Sequence, residues 1–196
     1  MKKLIYIFFI FFVFQNYSYS NDTSKGPIPK KIFEELNGNS DSYIHAIGML
    51  HIYYAENDTA QKIIINALNS NNEKLILTAF GAINHCFMAN IKKDTEVFNS
   101  FKLNIKRLSE FKNIDIRRNV AEAIGYYKLY FYRDILYSML KDKSPIIRAA
   151  AIKAFYCMKD KSVEPEIKIL NEKEKNKYVR DIIKIYYLLF NNGNDS

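Results

Sequence analysis

Histidine is the residue type in this chain with the clearest capacity for metal binding or proton transfer. The three histidines are His45, His51 and His85. A metal held on one helix face needs two ligands about one turn apart, and no histidine here has a partner at that spacing. Neither a Cys-x-x-Cys nor a His-Glu-x-x-His motif occurs. We therefore predict no metal site. We expect the histidine side chains to be hydrogen-bonded within the fold or to face solvent.

Glycine and carboxylate patterns give equally little support for catalysis. The glycines are scattered, so the chain has no phosphate-binding loop and no dinucleotide fingerprint. Acid pairs such as Glu34 with Glu35, and Glu164 with Glu166, lie at helix starts or on exposed faces, where carboxylates favour the helix dipole. A carboxylate pair assembled from distant parts of the chain stays open. We predict no cofactor and no catalytic residue, with an enzyme as an alternative.

The two cysteines, Cys86 and Cys157, lie in the apolar helical patterns "INHCFMA" and "AFYCMKD". A free cysteine in such a pattern behaves as a small buried hydrophobe. The repeat register given below places the two in non-adjacent units, beyond the roughly 7 Å between Cα atoms that a disulfide allows. We predict free thiols.

The N-terminus has the order of a secretory signal. Lys2 and Lys3 precede the apolar run Leu4–Phe14, and Ser18 and Ser20 follow where a peptidase reads small residues. The run makes a helix of only about 16 Å, against a bilayer core of roughly 30 Å. We predict residues 1–20 to be a cleaved signal, with an uncleaved anchor as the alternative. The expected location is the bacterial periplasm or cell envelope, or outside the cell.

The remaining chain is modestly basic. Residues 21–29 are a polar leader, residues 30–190 fit one domain, and residues 191–196 form a predicted flexible tail. Removing Lys2 and Lys3 from the 29 basic residues leaves 27 against 21 acids, a net charge of +6. Bases and acids alternate, which is typical of a solvated surface. We do not expect nucleic acid as the partner, and keep a polyanion binder as an alternative.

Helix signals recur along the mature chain, and strand signals do not. Six glycines and four prolines are too few for a turn-rich β protein. Apolar spacing and polar turns predict helices over 30–37, 42–55, 60–69, 74–89, 95–108, 116–131, 133–141, 146–158, 164–170 and 177–190.

Three of these helices share an aliphatic-arginine pair followed by an apolar stripe. The arginines are Arg117, Arg148 and Arg180, which are 31 and 32 residues apart. Fixed periods of this size are typical of solenoids, whose units bury their apolar faces by stacking on neighbours. The recurring arginine therefore indicates a repeat protein.

The segment "LKDKSPIIRAAAIKAF", residues 140–155, resembles a HEAT repeat of the HEAT/armadillo-like class, PBS-lyase type included. "IDIRRNVAEAIGYY" is similar and keeps a glycine, Gly125, after its large apolar residue. The resemblance is strongest over 111–158. It implies an all-α fold, a right-handed α-α superhelix of about five helix pairs.

The resemblance also implies roles for individual residues. It pairs each arginine with a turn aspartate or with backbone in a structural ladder between repeats. This assigns Arg117 with Asp115 and Arg148 with Asp142 to the ladder, while the turn before Arg180 offers Glu172 and Glu174 instead of aspartate. The second helix of each pair would line a concave face. Its outward candidates are Asn84, Arg118, Glu122, Lys153 and Tyr156. That face is mixed in sign and partly apolar, which suits a protein ligand better than a phosphate backbone.

The last helix is unusually apolar for the end of a repeat array. From Ile182 to Phe190 the only charged residue is Lys184, whereas terminal repeats normally need a polar outer face. We predict an apolar terminal interface of Ile185, Leu189 and Phe190, for a partner or a second copy. A wholly buried helix is the alternative.

Aromatic residues crowd the segment "GYYKLYFYRDILY". Four of its tyrosines, Tyr126, Tyr127, Tyr130 and Tyr132, cannot all face one side, so we expect exposed rings. Together these features predict an exported, non-enzymatic protein-binding or scaffold module. Its partner is an unidentified protein or, through the last helix, a second copy.

Overall fold

The computed structural model describes residues 27–38, 40–53, 57–83 and 96–191. Within these ranges the chain forms α-helices and no strand, so the predicted all-α class is confirmed there. The helices are α1 Lys30–Leu36, α2 Ser40–Tyr53, α3 Asp58–Ala67, α4 Glu73–Ala82, α5 Glu96–Ser109, α6 Ile114–Tyr126, α7 Arg133–Met139, α8 Pro145–Met158, α9 Glu164–Lys173 and α10 Lys177–Asn191. Short 3-10 turns precede α7 and α9.

Polar residues in the turns fix where the helices begin. Asn57, Asn72 and Asn113 each cap a helix, because the side-chain oxygen accepts two backbone N–H groups of the first turn. At α8, Pro145 takes the first helical position, where its missing N–H costs nothing. Three asparagines and one proline in the turns therefore mark where four helices begin.

Two lysines end helices in the left-handed backbone region. Lys128 (φ 51°) follows α6 and Lys159 (φ 57°) follows α8. After α6, the N–H of Lys128 donates to the Gly125 carbonyl at 3.2 Å, and the N–H of Leu129 donates to the Ile124 carbonyl at 2.9 Å. This Schellman pattern stops α6 at Tyr126, so the predicted helix over 116–131 was too long.

The second helices of successive pairs contact one another in chain order. Helix α2 contacts α4, α4 contacts α6, α6 contacts α8, and α8 contacts α10. Each also contacts the first helix of its own pair. The largest fully buried side chains come from first and second helices of the pairs. They include Phe80, Phe101, Phe155 and Tyr186.

Helix α6 approaches α8 closely at Gly125. A Cβ atom on Gly125 would lie 2.5 Å from the Cα of Ala154 and 2.8 Å from its Cβ. Only glycine allows the two backbones to come this near. The glycine that follows the large apolar residue of α6 is therefore required by helix packing.

Several predictions fall on residues outside the described ranges. These are the signal peptide, the leader as far as residue 26, the end of the helix predicted over 74–89, and the tail from residue 192. Asn191, placed in the tail by the sequence, is the last residue of α10. The described helices otherwise follow the ten predicted segments closely.

Candidate interaction surface

The first arginine contact joins α6 to the turn before α8. Arg117 donates to Asp142 from Nε (3.0 Å to Oδ2) and Nη2 (3.2 Å to Oδ1). Its Nη1 donates to two carbonyls of its own turn, Phe111 at 2.7 Å and Lys112 at 3.0 Å. The guanidinium is almost completely buried. It therefore ties two successive turns together through four hydrogen bonds.

The second arginine repeats this geometry one unit later. Arg148 donates to Glu174 from Nε (2.7 Å to Oε2) and Nη2 (2.8 Å to Oε1). Its Nη1 donates to the carbonyls of Asp142 (2.8 Å) and Lys143 (3.1 Å) in its own turn. Each arginine thus binds a carboxylate of the following turn and backbone carbonyls of its own.

The aspartate partners implied by the family resemblance were wrong, whereas the contact with backbone that it also allowed is present at both arginines. Arg117 does not pair with Asp115, which is already inside the first turn of α6 and lies 3.2 Å from Arg118 instead. Arg148 contacts Asp142 only through the backbone oxygen. The reason is the direction of the turn acid, whose carboxylate faces the preceding unit and accepts the arginine there.

Each turn acid also closes its own turn. The Oδ1 of Asp142 accepts the N–H of Ser144 at 2.7 Å, and the Oε1 of Glu174 accepts the N–H of Asn176 at 2.8 Å. The hydrogen bonds from Arg148 hold the pKa of Glu174 below its ordinary value despite burial of the carboxylate. We call each set of arginine, turn carbonyls and following turn acid a rung.

Arg180 occupies the same position but its rung is incomplete. Its Nη1 points at the Glu174 carbonyl, six residues earlier, at 3.5 Å. This is the contact that Arg117 makes to Phe111 and Arg148 to Asp142. Within the described part of the chain no carboxylate pairs with Arg180, which is exposed.

Two residues of the predicted groove form ion pairs on α6. Arg118 lies 3.2 Å from Asp115 and 3.7 Å from Glu122, and all three side chains are substantially exposed. One guanidinium against two carboxylates leaves these three side chains with a net charge of −1. Asn84, predicted for the same face, lies outside the described residues.

The other two groove candidates contact the neighbouring helix. Lys153 Nζ donates to the hydroxyl of Tyr178 at 3.0 Å and lies 5.5 Å from the ring centroid. The ring of Tyr156 packs edge-on against Phe190, with centroids 5.6 Å apart. Both residues are exposed in part, and both lie where α8 meets α10.

Two of the three residues predicted for the apolar terminal interface are exposed. Ile185 and Leu189 are exposed on α10, whereas Phe190 is only 8% exposed, so its assignment to an open surface was wrong. Phe190 is buried because it packs against Tyr186, with centroids 4.6 Å apart, and against Tyr156. Leu188, 60% exposed, belongs to the same surface and was missed.

A second exposed apolar group lies where α6 ends. Phe131 is 87% exposed and Tyr126 is 70% exposed, while the hydroxyl of Tyr130 donates to the Met158 carbonyl at 2.7 Å. Tyr132 is half-buried, and its hydroxyl donates to the Lys102 carbonyl at 2.8 Å. The expectation that some of these rings face solvent is confirmed. We call Tyr126, Tyr130 and Phe131 the aromatic edge.

An open cleft of about 950 Å³ lies between α7 and α9. Its lining combines both signs of charge, and the second-rung residues Asp142, Arg148 and Glu174 are part of it. Glu166 also lines it, with one carboxylate oxygen buried and without a hydrogen-bond partner among the described residues. Because the rung groups are engaged with one another, they are not free to act on a ligand.

Two of the remaining chemical candidates, His45 and Cys157, lie within the described residues. His45 contacts Glu35 at 2.7 Å, and His85 and the side chain of His51 lie outside the described residues. Cys157 is a free thiol but is exposed, contrary to the expected burial, and partial desolvation raises its pKa. Among side chains that the structure describes, no three metal-ligating groups cluster.

Within the described ranges, no helix is both long enough and apolar enough to cross a bilayer. The chain matches no family model, no curated protein and no solved structure.

Proposed function

We propose that this chain is an exported HEAT-like solenoid that acts as a non-enzymatic protein-binding module. The chain-order contacts of the second helices support the solenoid arrangement, because each such helix contacts its neighbours in the manner of a stacked array. The rungs of Arg117 and Arg148 support it further, since they recur with the sequence period. The signal-like N-terminus supports action in the periplasm or cell envelope.

The observation that carries the binding role is the exposure of large apolar side chains. Phe131, Tyr126 and Leu188 are among the most exposed hydrophobic residues described. Single exposed apolar residues are ordinary, but aromatic groups clustered beside a helix end are typical of protein interfaces. The buried polar groups are mostly hydrogen-bonded within the fold, which supports a structural rather than catalytic role for them.

The experiment is site-specific photo-crosslinking in the cell envelope. The chain is expressed with its own N-terminal segment, and a photoreactive phenylalanine replaces Phe131. The control carries the same residue in place of Lys168, an exposed position on α9. We expect a discrete protein adduct from position 131 and none from position 168. Equal labelling at both positions, no protein adduct at either, or recovery of nucleic acid alone would contradict the proposal.

A further inference from the structure

The outer face of α10 corresponds to the faces by which α6 and α8 contact their next neighbour. Counting from the rung arginine, the residue eight further on is Gly125 in α6, Tyr156 in α8 and Leu188 in α10. Gly125 is buried against Ala154 of α8, and Tyr156, 37% exposed, packs against Phe190 of α10. Leu188, in the same position, is 60% exposed.

A second position of the face gives the same result. Four residues after the arginine stand Ala121, Ile152 and Lys184. Ala121 and Ile152 are buried, whereas Lys184 is exposed. Helix α10 therefore presents a stacking face that no described residue covers.

Arg180 adds a polar requirement to this face. In the two complete rungs the guanidinium binds a carboxylate that stands two residues before the cap of the next helix, Asp142 before Ser144 and Glu174 before Asn176. Arg180 already makes the contact to its own turn, at 3.5 Å. The missing group is therefore a carboxylate in a turn that leads into a helix.

The described residues of a second copy of this chain do not supply that group. Its turn acids, Asp142 and Glu174, are both engaged with arginines. The positions two residues before the caps Asn72 and Asn113 are Ser70 and Phe111, which carry no acid. The face is also basic, with Lys177, Arg180 and Lys184 exposed beside the single acid Asp181, so two copies would repel.

We propose that the outer face of α10 is the docking site for a helical partner protein with an acidic turn. The partner places an Asp or Glu of that turn on Arg180 and packs the following helix on Leu188 and the aliphatic stem of Lys184, as an added repeat would. This inference rests on the proposed function and names the class of partner. Part of the binding surface is formed before the partner binds, because the exposed side chain of Leu188 and the Arg180 guanidinium are already in place.

The stacking face can be tested without knowing the partner. Phe190 aligns with Met158, so a copy of residues 160–191 placed directly after Asn191 keeps the repeat register. In this extended full-length chain the copied Glu174 is the probe for Arg180. We expect the thermal midpoint to rise by several degrees and amide exchange over residues 182–190 to slow at least about tenfold.

The matched control carries Gln in place of the copied Glu174, and should lose part of the gain in thermal midpoint. An extension that stays unfolded and leaves amide exchange of α10 unchanged would overturn the stacking face. A gain identical with Glu and Gln would overturn the role assigned to Arg180.

The natural occupant is tested by a photoreactive residue at Leu188 in the envelope. We expect a protein adduct whose yield falls at least about tenfold in the Arg180→Glu variant and is unchanged in Lys168→Glu, a charge reversal away from the face. An adduct with the mass of two copies of this chain would overturn the proposal. Adducts at Phe131 without any at Leu188 would sink this site alone, whereas no adduct at either position would sink the proposed function as well.

Discussion

Arg148 and Glu174 form a two-bond ion pair that links α8 to the turn before α10, with N to O distances of 2.7 and 2.8 Å. The Glu174 carboxylate is almost wholly buried, and its partner is mostly buried. Removing one member would leave the other as an uncompensated charge. This pair is therefore expected to control both the stability of the C-terminal helices and its dependence on pH.

The pH dependence follows from the lowered pKa of Glu174. Because the carboxylate binds protons less readily in the folded chain, its contribution to the free energy of unfolding is complete above the ordinary pKa of 4.5. That contribution is lost as the pH falls below this value. Urea unfolding between pH 7 and pH 3 should show the free energy of unfolding decreasing as the pH is lowered. Glu174→Gln should flatten the acid slope and cost about 3 kcal/mol at pH 7. Asp181→Asn, in an exposed pair, should cost under about 0.5 kcal/mol. An unchanged slope in Glu174→Gln would refute this assignment.

Gly125→Ala should separate α6 from α8. The new Cβ would meet the Cα of Ala154 at 2.5 Å, and backbone cannot yield as a flexible side chain does. We expect a loss of about 3 kcal/mol in the free energy of unfolding. Gly81→Ala is the control, since no atom lies within 4 Å of its Cβ, and should gain about 0.5–1 kcal/mol. Similar effects at the two positions would argue against the close approach.

Tyr186→Phe should stabilise the fold. The Tyr186 hydroxyl is buried without a hydrogen-bond partner among the described residues, and this burial raises its pKa far above the ordinary value. Removing an unsatisfied hydroxyl should gain about 1 kcal/mol. Tyr132→Phe should instead lose about 1 kcal/mol, because its hydroxyl donates to the Lys102 carbonyl. Destabilisation by Tyr186→Phe, measured by chemical denaturation, would mean that its hydroxyl is satisfied after all.

Lys159→Gly should also stabilise, because Lys159 adopts a left-handed backbone with φ 57°. Glycine adopts this conformation without the Cβ penalty, so we expect a gain of about 1 kcal/mol. Lys159→Ala keeps the Cβ and should show little gain. Lys168→Gly, inside α9, should lose about 1 kcal/mol. Thermal unfolding of the three variants side by side tests the difference, and an equal gain from alanine would contradict it.

The helices and the positions of the arginines could be predicted from the sequence, whereas the partners of the arginines could not. The sequence places Arg148 four residues after Ser144, at the start of a helix. Two acids are then available as its partner, namely Asp142 in its own turn and Glu174 in the turn before α10. The choice between them depends on which way the turn acid points, and spacing does not contain that information. The incomplete rung at Arg180 is visible only once that direction is known.

The errors at Cys157 and Phe190 have one physical origin. Cys157 aligns with Tyr126 and Leu189, nine residues after the arginine, and all three are exposed. Phe190 aligns with Met158, and both are buried. Because every residue at these positions is apolar or aromatic, residue type alone does not separate the buried position from the exposed one.

The forward direction of the rungs sets an order in which the protein can be completed. The carboxylates that Arg117 and Arg148 bind lie 25 and 26 residues further along the chain, so they are synthesised later. A growing polypeptide therefore carries an arginine that is hydrogen-bonded to its own turn but has no carboxylate partner until the next turn emerges. A stop codon within α9 would remove Glu174 and weaken α8, a helix that the truncated chain still contains in full.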